Sequence, residues 1–152
     1  QEAIGYDPAH VSNSDLYDLL KLTEKSKIKF YERHEFGEVM ENKPTNGYDL
    51  FFIDGNHTEF KVIAEDFLMC QALACENPVI IWDDYYPDKF AIKDVVTTAL
   101  QENTDYEAVL LSTRGHLFGT KEIFSAKQPE KDCGMVIMLK REVYENLFSE
   151  SE

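Results

Sequence analysis

Two nearly unbroken apolar runs, each stopping at acid, constrain this chain more than any other feature. Tyr48-Asp49-Leu50-Phe51-Phe52-Ile53 ends at Asp54-Gly55, and Val79-Ile80-Ile81-Trp82 ends at Asp83-Asp84. A strand with one wet face alternates apolar and polar residues. A run without that alternation belongs to a strand covered on both faces, as in a parallel sheet. Between the runs, Thr58 to Cys75 carries Phe60, Ile63, Phe67, Cys70 and Ala74 at three- and four-residue spacing, which predicts an amphipathic helix. Pro78 is expected to break it. A helix joining two parallel strands brings their carboxyl ends to the same side, so the acids at 54, 83 and 84 are expected on one rim.

The alternation of strand and helix extends along the chain. Ala3–Tyr6 reads as a short strand ending at Asp7-Pro8, and Ser12 to Thr23 as a helix with Leu16, Leu19 and Leu20 on one face. Ile28 to Tyr31 reads as a strand, and Glu35 to Met40 as a short helix before a loop at Asn42 to Gly47. Asp88 to Gln101 predicts a helix through Ala91, Val95 and Ala99. Tyr106 to Ser112 and Gly134 to Lys140 read as strands with no helix between them, hence an antiparallel hairpin at a sheet edge. The expected fold is α/β: a Rossmann-like three-layer sandwich with a mostly parallel sheet and a C-terminal antiparallel hairpin, in one domain over residues 1–152.

Charge narrows the function. With 29 acidic against 15 basic residues the net charge is −14, and no Lys/Arg cluster offers a phosphate-binding face, so nucleic acid is not an expected partner. No apolar stretch approaches the roughly 20 residues of a membrane helix, and no membrane partner is expected. Cys70, Cys75 and Cys133 have neither CxxC nor histidine-paired spacing, which suggests reduced thiols in a cytoplasmic protein. Self-association into a homo-oligomer is left open.

Carboxylates gathered at strand ends repel one another unless protons, hydrogen bonds or a cation compensate. Mg²⁺ held by two or three of them, with positions left for substrate oxygens, answers that repulsion. Asp-Gly is also a common turn, and an Asp after a strand often caps the next helix. A nucleotide hydrolase would need GxxxxGK[ST], which the sequence lacks, and a receiver domain would need its acidic pair at the first strand.

The stretch Asp49-Leu50-Phe51-Phe52-Ile53-Asp54-Gly55-Asn56-His57, continuing through Glu59-Phe60 to Asp66, resembles the fourth strand and following helix of class I S-adenosylmethionine-dependent methyltransferases. Among them it is most similar to the metal-dependent small-molecule O-methyltransferases with the signature FIDG-x-H. Val79-Ile80-Ile81-Trp82-Asp83-Asp84-Tyr85 is similar to their fifth strand, and the closing hairpin to their reversed last strand. The resemblance implies S-adenosylmethionine and Mg²⁺ as cofactors and a small-molecule hydroxyl as substrate. It implies that Asp54, Asp83 and Asp84 hold the metal and that Asp7, at the end of the second strand, binds the cofactor's ribose hydroxyls. His57 stands three residues after the first metal aspartate, where catechol-type relatives carry a lysine, and would be the catalytic base.

The family's first strand and its glycine-rich turn have no counterpart before Ala3. An upstream segment, another chain or a closed-up sheet would each account for that. The first is the expectation, since Gln1 is not a translational start, and this stretch alone is expected to be inactive. Glu76-Asn77-Pro78 replaces the usual Pro-Gly-Gly turn, and Glu32-Arg33-His34-Glu35 the usual Gly-Asp-Ser near the adenine. The competing expectation is a non-catalytic methyltransferase-fold module for binding or assembly.

Overall fold

The computed structural model describes residues 3–5, 28–30, 33–86, 91–112, 117–119 and 134–148. They belong to two compact units, Gln1–Lys43 and Pro44–Glu152. Asp7 and the helix expected at 12–23 lie outside the described residues.

In the first unit, strand β1 (Ala3–Gly5) pairs in parallel with β2 (Ile28–Phe30). A 3₁₀ turn at Arg33–Glu35 leads into helix α1 (Phe36–Asn42), which buries Val39. His34 is exposed.

The second unit opens with a turn closed by Gly47 N–H donating to the Pro44 carbonyl at 2.9 Å. Gly47 has φ 79°, and a Cβ there would lie 2.4 Å from backbone atoms of Ala74, so only glycine fits. Strand β3 (Tyr48–Ile53) follows, then helix α2 (Phe60–Leu73), which passes directly into β4 (Ala74–Tyr85). Pro78 does not break the helix as expected. It lies buried inside β4, where the β3–β4 register jumps from Tyr48↔Ala74 to Leu50↔Val79, an irregularity that tolerates a missing N–H. Helix α3 (Ile92–Glu102) and strands β5 (Tyr106–Ser112), β6 (Leu117–Phe118) and β7 (Gly134–Lys140) complete the sheet, and α4 (Arg141–Phe148) closes the described chain.

The strand order is β3-β4-β7-β5-β6. β3 and β4 are parallel, while β7 runs antiparallel to both β4 and β5. The two strands expected as a hairpin do pair, but β7 is not at the edge. It fills the gap between β4 and β5, and its run Met135-Val136-Ile137-Met138-Leu139 has the unalternating apolar character of an interior strand.

One face of this sheet carries the core. Ile80 and Trp82 of β4, Val136 and Met138 of β7 and Ala108 and Leu110 of β5 pack against Ile63 and Phe67 of α2 and Val95, Val96 and Ala99 of α3. Trp82 stacks 5.7 Å from Phe67, and its indole N–H donates to Met138 Sδ at 3.1 Å, which satisfies a buried donor. At β3 the expectation of cover on both faces fails. Phe51 and Ile53 pack on the core, whereas Leu50 and Phe52, on the opposite face, are exposed.

Candidate metal and ligand site

Since β7 opposes both its neighbours, β3, β4 and β5 all point the same way, and their carboxyl ends form one rim with the start of β7. Asp54 follows β3, Asp83 and Asp84 end β4, Ser112 ends β5, and Gly134 opens β7 opposite both Ser112 and Tyr85. Open α/β sheets bind ligands at this end.

A bulge shapes the rim. On β7, Val136 and Gly134 are two residues apart, while their partners Trp82 and Tyr85 on β4 are three apart. The extra residue falls at Asp83-Asp84, and Asp84 takes φ 51° to absorb it. Simple alternation would place residue 84 on the same face as Trp82, buried among α2 and α3. The bulge hands that place to Tyr85, which is 1% exposed within the core, and frees both carboxylates.

The loop after β3 is fixed from several directions. Asn56 Oδ1 accepts from the backbone N–H groups of Thr58 and Glu59, both at 2.8 Å, so the side chain supplies the turn that starts α2. The His57 carbonyl accepts from Ala91 N–H at 2.9 Å, tying the loop to the start of α3. His57 is thereby turned toward Asp84, with its Nε2 3.3 Å from Asp84 Oδ2. One ligand atom each from Asp54, His57 and Asp84 lie within 4.8 Å of one another. Asp54 is exposed, while His57 and Asp84 are half-buried.

Of the residues singled out from sequence, the structure brings Asp54, His57 and Asp84 together. Asp83 is not in that group; it lines a cleft of about 190 Å³ beside it, with Asp84, Tyr86, Ser112 and Met135. Sequence reading passed over Ser112 and Met135, which carry no motif of their own and reach the rim only because β7 sits beside β4. It also passed over Asn56, although an Asn just ahead of a helix is a turn signal.

Other chemistry in the unit is remote or inert. An open hollow of about 620 Å³ lies at the opposite end of the sheet, lined by Asp105, Lys140 and Arg141 among others. Its two basic residues are engaged: Lys140 pairs with Asp105 and sits 4.1 Å over the Tyr106 ring, and Arg141 Nε donates to Glu107 Oε1 at 2.9 Å. Size alone does not make it the site, because strand ends and converging ligand atoms favour the smaller cleft. Burial, aided by the Asp66 charge, pushes the Cys70 thiol up to about 12, which leaves it no thiolate at neutral pH. Cys70 and Cys75 are both free thiols.

This architecture has a solved counterpart in the O-methyltransferase from Bacillus cereus, whose crystal structure was analysed in complex with SAH. The TM-score is 0.62 at 12% identity, and the match covers 92% of this chain and 63% of that one. The chain therefore has a methyltransferase-type Rossmann-like α/β fold and spans just under two thirds of that neighbour's length. No protein-family model matches the sequence, and no curated protein matches it. No described helix is long and apolar enough to cross a membrane.

Proposed function

We propose that this chain is an S-adenosylmethionine-dependent O-methyltransferase domain, or most of one, acting on a small-molecule hydroxyl with the help of a divalent ion. The observation that carries the proposal is the meeting of Asp54, His57 and Asp84 at the carboxyl rim of a methyltransferase-type sheet. Residues 1–152 are taken as parts of a single such domain, which the reach of the match over 92% of the chain supports. Free Cys70 and Cys75 agree with a cytoplasmic setting.

Two carboxylates and an imidazole within reach of one point form a donor set that fits a divalent ion. When bound there, such an ion would draw in an acceptor's adjacent oxygens and lower the pKa of the hydroxyl to be methylated. The half-buried cleft beside Asp83 and Tyr86 would hold the acceptor's body and orient it. Asp83 remains a proposed third carboxylate of the metal set. Asp7 remains the proposed partner of the cofactor's ribose. His57 has two tasks open to it at this rim, taking the acceptor's proton or binding the ion, and the first is what the family resemblance implies.

A second reading, a non-catalytic module for binding or assembly, draws on the span of only 63% of the neighbour's length. Titrating SAH into the folded chain by calorimetry, with Mg²⁺ and then with chelator, separates the two. Saturable binding is the expected result, and acceptor screens of catechols, sugars and polyketides would then follow. A folded chain that binds no SAH under either condition would overturn the claim that this stretch works as a methyltransferase by itself.

A further inference from the structure

Within the metal-assisted reading above, on which this step rests, the identity of the ion turns on His57. We infer that His57 is a nitrogen ligand alongside Asp54 and Asp84, and that this His–Asp–Asp set takes Co²⁺, Ni²⁺ or Zn²⁺ in preference to Mg²⁺.

Distances come first. Metal–nitrogen and metal–oxygen bonds of about 2.1 Å set neighbouring ligand atoms about 3.0–3.4 Å apart and opposite ones about 4.2 Å apart. His57 Nε2 and Asp84 Oδ2 are 3.3 Å apart, the spacing of neighbours around one ion. The full set lies within 4.8 Å, so modest rotation of the exposed Asp54 side chain closes the remainder.

Anchoring comes second. The loop that presents His57 is held by the Asn56 amide on one side and by the bond from Ala91 N–H to the His57 carbonyl on the other. Asp84 is presented by a bulge that costs it a left-handed backbone. Both are held by the protein's own backbone geometry, as a ligand pair should be.

Chemistry decides the ion. Mg²⁺ is a hard cation that favours oxygen donors and retains much of its water, whereas imidazole suits Zn²⁺, Ni²⁺ and Co²⁺. A set of Asp54, Asp83 and Asp84 alone would favour Mg²⁺, but Asp83 is not in the cluster, and His57 is. The competing arrangement uses Asp84 to orient His57 as a proton acceptor, in the manner of a catalytic Asp–His pair. That arrangement needs two residues and gives no reason for the third ligand atom to lie within 4.8 Å of both.

The test is calorimetric titration of the untagged full chain with NiCl₂ and with MgCl₂, for the wild type, His57→Ala and Asp83→Asn, each checked for folding by circular dichroism. Ni²⁺ should bind at least about tenfold more tightly than Mg²⁺. His57→Ala should weaken Ni²⁺ by about tenfold or more and Mg²⁺ by far less, while Asp83→Asn should weaken Ni²⁺ by less than His57→Ala does. A companion measurement needs no variant: Zn²⁺ added to the wild type should shift the ring ¹⁵N resonances of one histidine in the manner of a metal-bound imidazole. Equal affinity for Ni²⁺ and Mg²⁺, or Ni²⁺ binding untouched by His57→Ala, would overturn the inference and leave the metal-assisted function standing. Failure of every ion to bind would overturn both.

Discussion

Asp84 pays for its position in backbone conformation. A left-handed φ of 51° disfavours side chains with a branched Cβ most and Asn or Asp least. Asp84→Asn should therefore leave the urea midpoint almost unchanged, while Asp84→Val should lower stability by about 1–3 kcal/mol. Equal stability of the two variants would show that the bulge has no cost at this position. The same residue marks where sequence reading stops. Asp54, Asp83 and Asp84 were legible because apolar runs ended there, and His57 through the family resemblance. Which of the adjacent aspartates joins His57 was not legible. That choice depends on how Gly134 and Val136 register against β4, a pairing about a third of the chain away.

Strand β4, read only as Val79 to Trp82, extends over Ala74–Tyr85, but other elements built from apolar runs were read to the residue, since burial on a pleated surface leaves little freedom in their ends. The strands at 48–53, 106–112 and 134–140 are the cases. Shorter or polar elements escaped: α4 buries none of its residues, so it offers no core-facing stripe to read, and β6 is two residues long. At the junction of β7 and α4, charges rather than apolar contacts fasten the chain. The hydrogen bond from Lys140, with the charges of Lys140 and Arg141, holds the Asp105 carboxyl below its ordinary 3.8. Burial opposes the charge on Lys140, but Asp105 and Tyr106 outweigh it, and its pKa is raised. A depressed carboxyl stabilises the fold above its unfolded pKa and loses that contribution as pH falls through its folded value. Asp105 is largely exposed, so the effect is at most about 1 kcal/mol. Asp105→Asn should accordingly lower the urea midpoint slightly at pH 7, and the gap from wild type should close below pH 3.8. A gap that widens in acid would refute the pairing.

At the level of the molecule, the described sheet depends on its last strand. Val136 and Met138 are fully buried, and β7 supplies the hydrogen bonds that join β4 to β5. Removing residues 134–152 should abolish cooperative unfolding of the Pro44–Glu152 unit, whereas removing only 149–152 should not. The single tryptophan, Trp82, is 0% exposed against Met138 and reports the outcome directly: its emission should shift to the red in the shorter chain. The strand order that creates this dependence lay beyond sequence reading, because periodicity reports which faces are buried and is silent about neighbours.

That arrangement also has a history within each round of translation. A ribosome releases β3, β4 and β5 well before β7, so the growing polypeptide carries two strand edges awaiting a partner not yet made. Until β7 emerges the unit cannot mature, and for that interval its unfilled centre is open to chaperones and to other nascent chains.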